Sequence, residues 1–163
     1  TAGGFFCFSA ALLVVIVIDL RHQIIPDMIS LPGIVIGFVL SFFSPLISWL
    51  DSLMGILCGG GVLYTIALLY FFLRKQEGMG GGDIKLLAMI GAFLGWQALP
   101  FVIFASSMSG ALVGVLVMFL ERKEGLSTRI PFGPFLSLAA LLYMLFYQEI
   151  TALYWSYLHG SLF

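Results

Sequence analysis

The sequence predicts an all-α polytopic membrane protein, and three observations support this fold class. Of the 163 residues, 61% are hydrophobic and 9% are charged, against about 25% charged residues in an ordinary soluble domain. The mean hydropathy is +1.14, which means more apolar surface than a soluble core of this length could bury. The apolar residues fall into six segments. The net charge is −1, and without a basic run the sequence gives no indication of nucleic-acid binding.

Six apolar segments are long enough, or nearly so, to cross the ~30 Å hydrocarbon layer as helices. The fourth is the shortest, and Gly95, Trp96 and Pro100 mark a tight turn at its end. One helical membrane domain over residues 1–163 is the simplest interpretation. In chain order the segments cover residues 3–20, 29–49, 53–73, 84–99, 101–120 and 132–153.

The distribution of Lys and Arg predicts how these spans are oriented. All seven basic residues lie in or beside the loops at 21–28, 74–82 and 121–131, and the opposite loops contain none. Positively charged loops stay on the cytoplasmic side, so these three loops are expected there. With six spans, both termini are then expected on the opposite, periplasmic side.

Two aspartates lie at the cytoplasmic border of this predicted topology. Asp19 ends the first span, and Asp83 begins the fourth directly after Gly80, Gly81 and Gly82. The first span runs inward and the fourth runs outward, so both carboxylates are expected at nearly the same depth. Carboxylates at membrane depth are costly and usually functional. Two that share a proton can activate water as a general base and acid.

Structural roles compete with this interpretation for each acid. Asp83 could be a helix N-cap, and Asp19 could be a border charge paired with Arg21. Asp27 follows a proline at the start of the second span, which favours a cap, with a supporting role at the site as the alternative. His159 lies at the opposite face of the membrane from the acids, so no metal site is expected.

The residues around both acids resemble those of a known family. GMGGGDIKLLAMIGAFLGW at 78–96 and IDLRHQIIPDMISLPG at 18–33 are similar to the motifs of the type IV prepilin peptidases. Residues 80–83 fit the Gly-x-Gly-Asp signature of intramembrane aspartic proteases, and residues 130–134 resemble the loop before this family's final spans. The resemblance covers nearly the whole chain.

This resemblance implies an aspartic endopeptidase of the bacterial inner membrane, a multi-pass protein with catalytic residues Asp19 and Asp83 facing the cytoplasm. The implied substrates are type IV prepilins and type II secretion pseudopilins, which are cut after a Gly that joins a short basic leader to an apolar helix. Small residues would admit an extended substrate backbone. The glycines expected in this role are Gly78, Gly80, Gly81 and Gly82.

The resemblance also bears on supporting residues and cofactors. Lys85 lies within the matching motif, where it would either steady the dyad or anchor the helix at lipid headgroups. Two carboxylates and water need no metal and no organic cofactor. Many family members also methylate the new N-terminus with S-adenosylmethionine and carry an extra N-terminal span and a zinc domain with two Cys-x-x-Cys pairs. This sequence lacks such pairs, so methylation and S-adenosylmethionine are expected only for a longer protein.

A different functional class stays open, namely a small proton- or ion-coupled transporter that uses the same acids as ion sites. The predicted depth of Asp19 and Asp83 weighs against it, because transport sites lie near the bilayer midplane. The lipid bilayer and a prepilin or pseudopilin are the expected partners, and the sequence does not predict an oligomeric state.

Overall fold

The computed structural model describes residues 2–75, 80–120 and 130–158, and nearly all of these are helical. A short 3-10 helix at Trp96–Ala98 joins the fourth and fifth α-helices. The α-helices are α1 (Ala2–His22), α2 (Asp27–Ser41), α3 (Trp49–Arg74), α4 (Gly81–Leu94), α5 (Leu99–Leu120), α6 (Gly133–Leu145) and α7 (Tyr147–Leu158).

The helix lengths and their apolar composition confirm an all-α membrane fold. Three stretches are long and apolar enough to cross a membrane: α1, α3 and residues 96–120, which contain α5. The pair α6 and α7 adds a fourth if it counts as one bent span. At 1.5 Å per residue, α2 and α4 reach only about 22 and 21 Å. The count of six spans and the periplasmic termini therefore stay predictions.

The predicted second span, 29–49, is too long at its C-terminal end. Helix α2 ends at Ser41, because Pro45 cannot donate a backbone hydrogen bond and restricts Ser44 to extended conformations. Ser48 then caps α3 in a reciprocal capping box with Asp51. The Ser-x-x-Asp pattern that starts α3 was present in the sequence, and its first residue, Ser48, lies inside the segment assigned to the second span.

The predicted sixth span, 132–153, is also wrong as a single straight helix. It breaks at Phe146 into α6 and α7, whose axes differ by 83°. None of the residues of α7 is buried, and Gln148 and Glu149 bring polar groups directly after the break. An exposed helix of this kind, with Trp155 and Tyr157 on it, is typical of the membrane interface.

Helix α4 forms the centre of the bundle, and every residue from Leu86 to Leu94 is buried. Helix α3 runs antiparallel to α4 and approaches it backbone to backbone. A Cβ atom added to Gly55 would overlap the Gly91 carbonyl, and one added to Gly91 would overlap the Gly55 carbonyl. The Ser52 hydroxyl donates a 2.7 Å hydrogen bond to the Ala92 carbonyl at the same level. Small residues permit this close packing where lipid gives no hydrophobic driving force.

Helix α2 packs on another side of α4 and runs parallel to it. Gly33 lies against Met89. A Cβ atom added to Gly37 would lie 2.7 Å from the ring of Phe93. Gly33 and Gly37 are four residues apart, as are Gly55 and Gly59 on α3, so both helices present a Gly-x-x-x-Gly face to α4. These two faces hold the N-terminus of α4 beside the start of α2 and the end of α3.

Helices α1 and α6 complete the bundle in antiparallel orientation. The Ser9 hydroxyl of α1 lies 3.8 Å from the Met144 sulfur near the end of α6, and the other end of α1 meets the first residue of α6. The end of α1 and the starts of α2, α4 and α6 therefore lie at one end of the bundle.

Candidate active site

Asp19 lies on the buried face of α1, in its last turn. The buried residues of this helix are Phe8, Leu12, Val15 and Asp19, which recur every three or four residues as one helical face does. Asp19 is 4% exposed, whereas Leu20 beside it is 61% exposed. A buried carboxylate needs a hydrogen-bond partner, and the backbone N–H of Gly133 donates to Asp19. The alternative of an exposed border charge paired with Arg21 is therefore wrong.

Asp83 lies in the first turn of α4 and is partly buried. The N-cap of α4 is Gly80, and no side chain caps this helix end. The amide of Asp83 donates to the Gly80 carbonyl at 3.2 Å. The alternative that Asp83 is the N-cap is therefore wrong. Its carboxylate instead lies within range of the charge on Asp19.

Ile25 links the surroundings of the two acids. It is 8% exposed, although it belongs to the short connection between α1 and α2. Gln23 adopts a left-handed conformation, with φ of 53°, and turns the chain at the end of α1. A Cβ added to Gly82 would lie 2.9 Å from Ile25 Cβ, and one added to Gly133 would lie 3.0 Å from Ile25 Cδ1. Gly82, which precedes Asp83, and Gly133, the partner of Asp19, thus flank one buried side chain.

Lys85 and Asp27 form an ion pair at the same end of the bundle. The Lys85 Nζ lies 2.7 Å from the Asp27 Oδ2, and the two side chains are 37% and 55% exposed. Asp27 is the first residue of α2, Pro26 is the N-cap, and that cap makes no side-chain bond. The cap role predicted for Asp27 is wrong, because its carboxylate binds Lys85. A pair this exposed contributes roughly 0–1 kcal/mol, and it links the first residue of α2 to α4.

The glycines predicted to admit a substrate differ in their surroundings. A Cβ added to Gly80 or Gly81 would meet nothing within 4 Å, whereas Gly82 packs against Ile25. Gly78 lies outside the described residues. Among the described residues, space therefore remains open beside Gly80 and Gly81, which stand three and two residues before Asp83.

Sequence reasoning did not identify Ile25 and Gly133 as residues of this site. Gly133 carries a signal that could have indicated a role, since it stands before Pro134 at the start of α6. Ile25 carries a weaker one, as an apolar residue that is buried in a polar connection. Among the described residues, no three His, Cys, Asp or Glu side chains form a group that could hold a metal ion.

Comparison with known proteins gives consistent matches over most of the chain. The family model "Type IV leader peptidase family" matches residues 6–115. The chain is 39% identical over 153 residues to a protein of Stutzerimonas stutzeri named prepilin leader peptidase/N-methyltransferase, covering 94% of this chain and 53% of that protein. The Pseudomonas aeruginosa protein of the same name is also 39% identical, with 94% and 52% covered.

A protein of Escherichia coli K12 with that name is 36% identical over 140 residues, which are 86% of this chain and 61% of the relative. The chain spans about half the length of the first two relatives. No solved structure matches it significantly. The family model covers well over half of the chain and includes both acids, and the chain therefore belongs to the type IV leader peptidase family.

Proposed function

We propose that this chain is the peptidase portion of an intramembrane aspartic endopeptidase that removes the leader from type IV prepilins or type II secretion pseudopilins. The observation that carries the proposal is that Gly82, next to Asp83, and Gly133, the partner of Asp19, both pack against Ile25 at one end of the bundle, where the charge of Asp19 also acts on Asp83. The relatives' name, prepilin leader peptidase/N-methyltransferase, supports the substrate class.

In the proposed mechanism the two carboxylates share one proton, because the charge of Asp19 acts on Asp83 and two neighbouring carboxylates are not easily ionised together. The ionised carboxylate takes a proton from water, and the oxygen of that water attacks the carbonyl carbon of the Gly that ends the leader. The protonated partner gives its proton to the carbonyl oxygen. When the tetrahedral intermediate collapses, the C–N bond breaks and the carboxyl group that took the proton from water gives it to the leaving amine. The partner carboxylate takes a hydroxyl proton from the intermediate, which restores the dyad. The products are a leader carboxylate and a mature N-terminal amine.

The location of the acids suits this chemistry. Both lie at helix ends on one end of the bundle, where Asp83 is only partly buried, so water can reach Asp83, whereas hydrocarbon contains none. The open space beside Gly80 and Gly81 suits a substrate backbone in extended form, which exposes the amide that a helix would hide. The basic leader would stay in the cytoplasm or near anionic headgroups, and the apolar stem would pack against the helices.

Lys85 and Asp27 are proposed to support the site rather than to react. Their ion pair joins the start of α2 to α4 one turn or less from Asp83. It therefore holds the connection between α1 and α2, which carries Ile25 into the site. Proteolysis by this dyad would use neither a metal nor an organic cofactor, and S-adenosylmethionine would be required only for methylation by a longer protein. The proposed location is the cytoplasmic membrane, with the dyad on the cytoplasmic side.

Cleavage of a model prepilin by the detergent-purified chain tests the proposal. The substrate carries a basic leader, a Gly and a Phe-led apolar stem, and the variants are Asp19→Asn and Asp83→Asn. We expect each to lose about 10²–10⁴-fold in kcat. Asp51→Asn is the matched control, because it alters an aspartate at the opposite end of the bundle, and it should cleave like the unaltered chain.

Circular dichroism and the thermal midpoint establish that each variant is folded. Full hydrolysis by either Asp19→Asn or Asp83→Asn would contradict the dyad. In that case, proton or ion flux in proteoliposomes would test the transporter alternative with the same variants.

A further inference from the structure

Gly133 contributes its backbone amide to the site, and the start of α6 shows why that amide is available. The first N–H groups of a helix have no partner within it. Here Pro134 has no N–H, and the amides of Phe135 and Leu136 both donate to the Phe132 carbonyl, at 3.1 and 3.2 Å. The amide of Gly133 is not used in this way and donates to Asp19.

The contact between the Gly133 amide and Asp19 requires that residue 133 has no side chain. A Cβ atom added to Gly133 would overlap Oδ2 of Asp19 and would lie 3.2 Å from Cγ of the same residue. It would also lie 3.0 Å from Ile25 Cδ1, the flexible end of a side chain. Gly133 is buried, so neither Asp19 nor Gly133 can move away into solvent. Any other residue would displace the carboxylate or the start of α6.

We propose that Gly133 is the positioning residue for Asp19: its N–H fixes one side of the carboxylate, and the missing Cβ leaves room for that carboxylate to face Asp83. The catalytic consequence rests on the proposed function, whereas the contact itself does not. Displacement of a reacting group by about 1 Å can cost on the order of 10²-fold in rate. Substrate binding along Gly80 and Gly81 does not involve Gly133.

The first arm of the test measures catalysis by Gly133→Ala with the model prepilin. We expect kcat to fall about 10–100-fold, with KM changed less than about twofold because the open space beside Gly80 and Gly81 is unchanged. Gly110→Ala is the matched control. Its Cβ would lie 3.6 Å from the ring of Phe132, at an ordinary contact distance beside the same loop, and its kcat should be unchanged. Unaltered kcat in Gly133→Ala would overturn the positioning role.

The second arm measures the thermal midpoint and needs no activity. Gly133→Ala is compared in the unaltered chain and in an Asp19→Ala background, where the overlapping carboxylate is gone. We expect a clear loss of thermal midpoint, or failure to fold, in the first case and recovery of most of that loss in the second. Gly91→Ala, which overlaps the Gly55 carbonyl far from Asp19, should lower the midpoint equally in both backgrounds.

The contact between Gly133 and Asp19 would be overturned if Gly133→Ala lowered the thermal midpoint equally in both backgrounds. Failure to fold in both backgrounds would overturn it as well. If the unaltered chain does not cleave prepilin, the proposed function fails in the first arm, and the second arm still decides the contact. Coupling in the second arm together with a lowered kcat in the first supports the proposal.

Discussion

Both ends of the helical bundle carry aspartates, but the carboxylates at the two ends have different partners. At the end formed by Ser48, Asp51 and Trp96, both carboxylate oxygens of Asp51 are used. Oδ2 accepts from the Ser48 amide at 3.3 Å, and Oδ1 accepts from Trp96 Nε1 at 3.1 Å. At the other end, Asp83 follows an N-cap without a side-chain bond and faces the charge of buried Asp19.

This contrast separates a structural acid from the two proposed catalytic acids. Asp51 satisfies a helix N-terminus and the neighbouring turn, which is what a capping box does. Asp19 and Asp83 bring two negative groups together in a partly buried place, an arrangement that costs folding free energy. Such a cost is typical of sites where the groups react.

The largest expected effect is on kcat, and it tests whether Asp19 and Asp83 act as one catalytic unit. The double variant Asp19→Asn/Asp83→Asn should lose about as much kcat as either single variant, roughly 10²–10⁴-fold, because residues of one catalytic unit are not additive. The measurement is single-turnover cleavage of the model prepilin. If the loss of kcat in the double variant equalled the product of the two single losses, a shared role would be contradicted.

The next effect concerns α4, which connects the two ends. Gly91→Ala places a Cβ against the Gly55 carbonyl and should lower the free energy of unfolding by about 1–3 kcal/mol. Denaturation in mild detergent measures this loss. Gly61→Ala is the matched control, because its Cβ would meet nothing within 4 Å. Equal stability of the two variants would mean that α3 and α4 do not pack as closely as described.

A smaller effect is expected at the Asp51 end. Asp51→Ala removes the reciprocal cap of α3 and the bond from Trp96, so the free energy of unfolding should fall by about 0.5–2 kcal/mol. The value of kcat per folded molecule should stay unchanged. Ser48→Ala, which removes the other half of the capping box, is expected to cost a similar amount. A large loss of kcat in Asp51→Ala would contradict a purely structural role for Asp51.

The smallest effect is expected for the exposed ion pair. Lys85→Met and Asp27→Asn should each change the free energy of unfolding by less than about 1 kcal/mol, and their double-mutant coupling should weaken as salt is added. A few-fold fall in kcat, equal in both variants, would fit a pair that fixes α2 against α4. A loss in Lys85→Met much larger than in Asp27→Asn would assign Lys85 a role at the dyad by itself.

Much of this protein could be predicted from local features of the sequence. Apolar content and segment length indicate an all-α membrane protein, because transfer of side chains into lipid depends on composition and not on neighbours. Asp19 and Asp83 stand out for the same reason, since a carboxylate within an apolar segment is costly wherever the chain folds. The end of α4 at Gly95, with φ of 79°, also follows from a local conformational preference.

Other features were decided by tertiary structure. The break at Phe146 occurs within residues 135–158, which contain no Pro or Gly, and Asp27 binds Lys85 instead of capping α2. Ile25 and Gly133 lie beside the residues around the two acids because helix ends meet there, which a single segment does not show. Composition and periodicity report on one segment at a time, whereas these contacts depend on which segments pack together. The sequence by itself therefore determined the membrane class and the two acids, and the packing of α1, α4 and α6 decided what surrounds those acids.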